Sequence, residues 1–228
     1  MIKFYLSGGP NPRKVALLLE EMSLAYEPLW VDTSEGEQFV PDFIALNPNA
    51  KVPVIVDGDD VVFDSNAVLL YLADKHGCFA PSLASPARAD LLSWLMFIAT
   101  GLGPYSGQAV HFQHSSPERL PYAIQRYQFE ARRHFSIVER RLAERDWLVG
   151  DAFSIADIAL WGWASYLTHI LSEDATRTFP RVCNLVERID TRPAACRAVA
   201  AVTRSGAAPP RIHANPNLFR YLAVEQPT

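Results

Sequence analysis

The sequence predicts an α/β plus all-α chain, a small mixed sheet with its helices followed by a helical bundle. Three observations carry that expectation. Strand-sized apolar runs fall only before residue 64, the composition shifts after Gly77, and helical spacing alone continues beyond the shift.

Taken in order, Ile2-Lys3-Phe4-Tyr5-Leu6 is a strand and is followed by a Gly-rich turn. Val15 to Met22 then carries a helical pattern whose start is marked by Asn11 as N-cap and Pro12 at the first helical position. Tyr26 to Val31 is a second strand, and Phe39 to Leu46 a short helix closed by Asn47-Pro48. Val52 to Asp57 and Asp60 to Phe63 are strands linked through Gly58, and Ser65 to His76 is a helix ended by Gly77. The order β-α-β-α-β-β-α is that of a thioredoxin-like domain. Cys78 to Pro86, rich in Pro, Ser and Ala, is a connector. The boundaries are therefore 1–77 for the first domain, 78–86 for the linker, 87–204 for an all-helical domain and 205–228 for a tail. Helices are expected over Ala87 to Thr100, Pro117 to Arg145, Ser154 to Leu171, Phe179 to Asp190 and Arg192 to Thr203. The tail is rich in Pro and Asn and is expected to wrap the surface, with Phe219 and Tyr221 packed back onto the body.

The 228 residues are 49% hydrophobic, enough for a substantial core. A formal charge of -4 and a pI near 5.9, with no Lys/Arg-rich run, argue against a nucleic-acid partner. Met1 to Leu6 is too short for a signal peptide, and no run approaches the roughly 18 apolar residues of a membrane span. The expectation is a soluble, cytoplasmic protein. Cys78, Cys183 and Cys196 are odd in number and widely spaced, which fits neither a disulfide framework nor a metal cluster.

In a thioredoxin-like domain the reactive group sits where the chain enters the first helix, because free N–H groups and the helix dipole favour a thiolate there. Here that turn is Ser7-Gly8-Gly9-Pro10-Asn11-Pro12-Arg13, without a cysteine. Thiol chemistry at this turn needs a sulfur from a ligand, and glutathione is the abundant cellular thiol. Lowering a thiol pKa by about 2 units takes about 2.7 kcal/mol. A hydrogen bond to a charged sulfur supplies roughly 1.5–3 kcal/mol and a helix N-terminus roughly 0.3–1. The Asn11 amide with the helix end therefore suffices, although a plain capping role for Asn11 reads equally well. Tyr5 belongs to the core and Ser7 is a lesser donor. Val52-Pro53 opens a strand at a position where the Val52 backbone is free to pair with a bound peptide. Asp64-Ser65 stands at a helix N-terminus suited to an ammonium and a carboxylate, the two charges of a γ-glutamyl group. An ordinary N-cap pair has the same appearance.

These residues resemble the glutathione transferases over nearly the whole chain. The likeness is best to the nu class, bacterial proteins similar to the fungal nitrogen-regulator prion and including disulfide-bond oxidoreductases. It is carried by Pro10-Asn11 with Lys14, Gln38-Phe39, Asn47 to Pro53, Asp64-Ser65 and Leu69 to Ala73. Gly101 to Pro104, Pro121 to Ile124 with Arg126-Tyr127, and Trp147 to Gly150 through Ser154 to Ala159 extend it into the second half. The resemblance implies that Asn11 faces the glutathione sulfur and that Val52, before a cis Pro53, pairs with the cysteinyl backbone. It implies that Asp64 and Ser65 hold the γ-glutamyl group, and that Gln38, Asn49 and Lys51 line the rest. A homodimer is implied as well, with Arg126 reaching glutathione on the other subunit. Ser154 to Asp157 matches the family's capping box. The chain departs from the pattern the resemblance implies at two places: Gly9, where a threonine is usual, and Asp64, where glutamate is commoner.

The implied activity is glutathione-dependent reduction of a small disulfide or peroxide, with glutathione as co-substrate. The alternatives are a non-catalytic glutathione-binding regulator, kept open by Gly9, and an electrophile-conjugating detoxifier. His111 and His114 lack a third ligand and are expected at a polar loop or site edge rather than on a metal. Trp94, Trp161 and Trp163 are expected in the core or a pocket wall, and Phe112 and Tyr166 as walls for the second substrate.

Overall fold

The computed structural model describes residues 1–203. The expected packing of Phe219 and Tyr221 lies outside the described residues. Four strands form one mixed sheet in the order β2-β1-β3-β4: β1 (Ile2–Leu6), β2 (Tyr26–Trp30), β3 (Val54–Asp57) and β4 (Asp60–Phe63). β1 runs parallel to β2 and antiparallel to β3, and β3 pairs antiparallel with β4. Ile2, Phe4 and Leu6 of β1 all point into the core, as the period of two demands. β2 takes an edge, where Pro28 withholds no ladder donor that the sheet needs.

Three helices belong with the sheet: α1 (Pro10–Glu21), α2 (Pro41–Leu46) and α3 (Ser65–His76). Eight follow: α4 (Ala87–Phe97), α5 (Gly103–His114), α6 (Pro121–Arg141), α7 (Ile155–Ala164), α8 (Leu167–Ile170), α9 (Ala175–Thr178), α10 (Pro180–Asp190) and α11 (Pro193–Ala201). The strand and helix order of the first 77 residues is the one expected, and only helices follow among the described residues.

Several boundaries differ for local reasons. α1 begins at Pro10, so Gly9 and not Asn11 is its N-cap, and Pro12 falls at the third helical position rather than the first. Two prolines fit there because the first N–H groups of a helix have no partner to lose. β3 begins at Val54, leaving the cis Val52-Pro53 pair just ahead of the strand. Glu37–Phe39 is a separate 3₁₀ turn before α2. α6 starts at Pro121, not Pro117, and the expected Ser154–Leu171 helix breaks at Ser165-Tyr166 into α7 and α8. α5 and α9 are helices that the pattern did not reveal. At the start of α5 and in the helical turn just before it, Ile98–Leu102, the glycines mask the helical period, yet they mark close packing. A Cβ on Gly103 would stand 2.8 Å from Trp163 Nε1, and one on Gly101 would strike the His134 ring.

One apolar core runs through both halves, from Ile2 to Val202. α1 lies at its centre, with Val15 to Leu19 all fully buried, so this stretch of the helix is enclosed on every side while its charged residues fall at the ends. It packs against α3, α7 and α11. Two forked ion pairs fasten the halves: Arg192 to Glu21 at 2.5 and 2.8 Å, and Arg88 to Asp74 at 2.7 Å through both nitrogens. α7 starts on a capping box in which Ser154 accepts from the Ala156 N–H while Asp157 accepts from the Ser154 N–H. Asp157 also accepts from the Leu148 N–H at 2.8 Å, which anchors the turn before the helix.

Candidate active site

At the entry to α1, Gly9 adopts φ 130°, ψ 175°, a conformation that favours glycine, and a Cβ there would meet nothing within 4 Å. Asn11 sits one residue inside the helix, and its side chain makes no capping bond. Its Oδ1 instead accepts from Ser65 Oγ at 3.4 Å, across to the first turn of α3. Ser65 is 3% exposed and also accepts from Lys14 Nζ at 3.3 Å. Lys14 lies one turn below Asn11 and is 1% exposed, its ammonium 6.0 Å from the Trp163 ring. Burial lowers its pKa from 10.5 to about 7, with the Asp64 carboxylate pulling the other way.

Asp64 caps α3 through Oδ1, which accepts from the N–H groups of Asn66 at 2.8 Å and Ala67 at 3.3 Å. It holds φ 70°, a left-handed conformation uncommon outside glycine and asparagine. The Asn47–Lys51 loop is organised by buried Asn47. Its Nδ2 donates to the Lys51 carbonyl at 2.6 Å, and its Oδ1 accepts from the Asn49 N–H at 3.0 Å. Asn49 and Lys51 are exposed, Val52 is half-buried and Pro53 is buried. Gln38 is buried, donating from Nε2 to the Thr33 carbonyl, with Oε1 enclosed and without a partner. Arg126 stands apart on the exposed face of α6, paired with Glu130 at 2.5 Å.

The structure thus joins Asn11 to Ser65 and sets Asp64 beside them, while no contact connects Arg126 to that group. Sequence reasoning passed over Lys14 as chemistry and Asn47 as an organiser. A charge directly before the apolar Val15–Leu19 run was one available signal. The glycine inside Trp161-Gly162-Trp163 was another, since glycine within a helix marks close approach.

The cysteines all lie elsewhere, Cys78 after α3, Cys183 in α10 and Cys196 in α11. Burial raises the thiols of Cys78 and Cys183, the reverse of activation. Tyr5 is half-buried and meets Phe43 edge-on against a small second apolar cluster of Val31, Phe43 and Val54, and Ser7 donates to the Gly8 carbonyl. His111 and His114 lie on α5 rather than a loop, and His114 stacks on His169 at 4.3 Å. Among the described residues no three His, Cys, Asp or Glu side chains gather for a metal. Trp161 is fully buried under the Arg13 guanidinium, Phe112 stacks on Tyr127, and Tyr166 lies 5.8 Å from Arg13.

Set beside known proteins, residues 8–75 match the family described as glutathione S-transferase, N-terminal domain, and residues 107–193 its C-terminal domain. The chain belongs to the glutathione S-transferase family. It is 43% identical over 206 residues to the disulfide-bond oxidoreductase YfcG of Escherichia coli, covering 87% of this chain and 94% of that one. The glutathione transferase URE2P8 of Phanerochaete chrysosporium, solved with oxidised glutathione, superposes with a TM-score of 0.82 at 36% identity over 86% of this chain and 92% of its own. A family member from Pseudomonas fluorescens, solved with two glutathione molecules bound, gives 0.81 at 34% over 87% and 92%.

Proposed function

We propose that this chain is a glutathione-dependent oxidoreductase of the nu class, reducing small disulfides or peroxides with the thiolate of bound glutathione as nucleophile. The observation that carries the reading is an Asn11 amide at a thiol-free helix start, 3.4 Å from Ser65 at the start of a second helix. Glutathione needs its thiol and its γ-glutamyl charges read by adjoining groups, and these two helix ends supply them. Asn11 donates to the sulfur, the Val52 backbone pairs with the cysteinyl unit, and the Ser65 backbone N–H at the positive end of α3 takes the γ-glutamyl carboxylate. Asp64 uses only Oδ1 for its cap bonds, so Oδ2 is left for the ammonium. Gln38 stands behind the site with its amide donating to the Thr33 carbonyl, and Gly9, Asn49 and Lys51 complete the wall.

The thiolate attacks one sulfur of the disulfide, forming a mixed disulfide and expelling the other sulfur as thiolate. A second glutathione thiolate attacks the glutathione sulfur of that mixed disulfide, releasing oxidised glutathione and the second product thiol. No protein sulfur takes part.

We take residues 1–77, 78–86 and 87–204 as domain, linker and domain, and the protein as a cytoplasmic homodimer. Support for a reducing compartment comes from three unpaired cysteines. Support for the dimer comes from exposed Val61 and Phe63 on β4, Met96 on α4, and Tyr122 and Phe129 on α6. Arg126 lies between the last two on α6, and its exposed, long guanidinium side chain supports the reading that it reaches a carboxylate across that interface. Gly9 favours the second reading, a binding protein without turnover, because it removes a hydroxyl from the neighbourhood of the sulfur.

Calorimetry with reduced and oxidised glutathione, paired with reduction of hydroxyethyl disulfide, decides between them. The oxidoreductase binds both and turns over; the regulator binds without turnover. Failure to bind either form sinks both readings. Conjugation of a chlorinated aromatic tests the detoxifying alternative.

A further inference from the structure

A buried lysine is expensive to keep. Lys14 has one hydroxyl partner, and a methionine would fill its channel without desolvating a charge. The fold nevertheless makes room for it: a Cβ on Gly162 would stand 2.5 Å from Lys14 Cγ and 3.1 Å from Cε. Such an investment points to work at the far end of the side chain.

An ammonium has three donors and no acceptor. When Lys14 is charged, Ser65 Oγ accepts from it, and the one Ser65 hydroxyl hydrogen is then directed to Asn11 Oδ1. With its oxygen engaged, the Asn11 amide turns its NH₂ outward. The flipped amide would set its carbonyl oxygen against a thiolate and repel it.

We propose that Lys14 is a positioning residue: acting through Ser65, it fixes the Asn11 amide with its N–H groups toward the glutathione sulfur and so favours the thiolate. The proposal rests on the glutathione reading given above. The charges around Lys14 are few. Asp64 faces it from the α3 cap. α7 presents Gly162 and Trp163, neither of which titrates, and Arg13 is turned to Trp161 and Asp190. With its pKa brought down to about 7, Lys14 responds to a nearby anion, so bound thiolate and charged Lys14 favour each other.

The test is the titration of bound glutathione, followed by thiolate absorbance at saturating ligand, in the wild type, Lys14→Met and Ser65→Ala. Calorimetry on the wild type comes first; absence of binding there overturns the glutathione reading and the relay together. Given binding, both variants are expected to raise the thiol pKa by about 1 unit, about tenfold less thiolate at a given pH. In Lys14→Met the acid limb of the kcat profile should move by the same amount, with the KM for glutathione changed less than about threefold. A folded Lys14→Met protein whose bound thiol titrates as in the wild type overturns the relay. Should that variant not fold, an unmoved titration in Ser65→Ala overturns it instead.

Discussion

Lys14 and Gly162 occupy one space, the glycine of α7 leaving a channel that the lysine stem of α1 fills. A methyl group at 162 would meet Lys14 Cγ at 2.5 Å and the Pro10 carbonyl at 2.6 Å, and the second of these is backbone that cannot swing aside. Gly162→Ala is therefore expected to lower stability by about 1–3 kcal/mol through overpacking. It should also depress glutathione-dependent turnover, since Pro10 begins the helix that carries Asn11. Urea denaturation and a turnover assay read the two effects, and an unchanged denaturation midpoint would contradict the packing.

Lys14 makes stability depend on pH with a definite sign. Its pKa falls from 10.5 to about 7 on folding. Between those values the unfolded chain binds a proton that the folded chain does not, so this group makes the ligand-free protein more stable as pH rises from about 7. Lys14→Met should lose that increment. Urea titrations of both proteins between about pH 7 and 9 measure the difference, and parallel curves would show the lysine charged throughout.

Asn11→Ala separates capping from chemistry. Gly9 is the N-cap and Asn11 makes no capping bond, so the melting temperature should move little. Loss of a hydrogen bond to a charged sulfur corresponds to a fall in turnover of roughly 10- to 100-fold. A melting temperature lowered as far as a lost cap requires, with turnover intact, would reverse the assignment.

Asp157→Ala should act on folding alone. It removes the acceptor for the N–H groups of Leu148 and Ser154 and for the Ser154 hydroxyl, all buried. The expected loss is about 2–4 kcal/mol. Calorimetric melting measures it, and the folded protein should keep the wild-type KM for glutathione.

The exposed ring of Phe129 gives a test of assembly. Placing a carboxylate there should disperse the proposed dimer, so Phe129→Glu is expected to elute as a monomer in size-exclusion chromatography. Wild-type protein eluting as a monomer would remove the interface, and with it the role of Arg126.

Much of this molecule was legible as a string of residues. The strand alternation of Ile2 to Leu6, the Gly77 stop and the Ser154–Asp157 capping box are local signals, and local signals survive without coordinates. α5 was not legible, because Gly101 and Gly103 read as helix breakers until His134 and Trp163 are seen against them. Of the two roles the sequence allows Asn11, the cap falls away for a related reason: two prolines, one residue apart, allow two helix starts, and the helix takes the earlier one.

By itself, then, the order of residues determined the two-part architecture, the thiol-free turn and the candidate ligand residues, since each depends on neighbours close in the chain. Only the tertiary structure decided that Lys14 is buried, that Ser65 bridges it to Asn11, and that Gly162 makes the room. Those contacts join three helices far apart in sequence. A side chain's charge state and hydrogen-bond direction are set by what surrounds it in space.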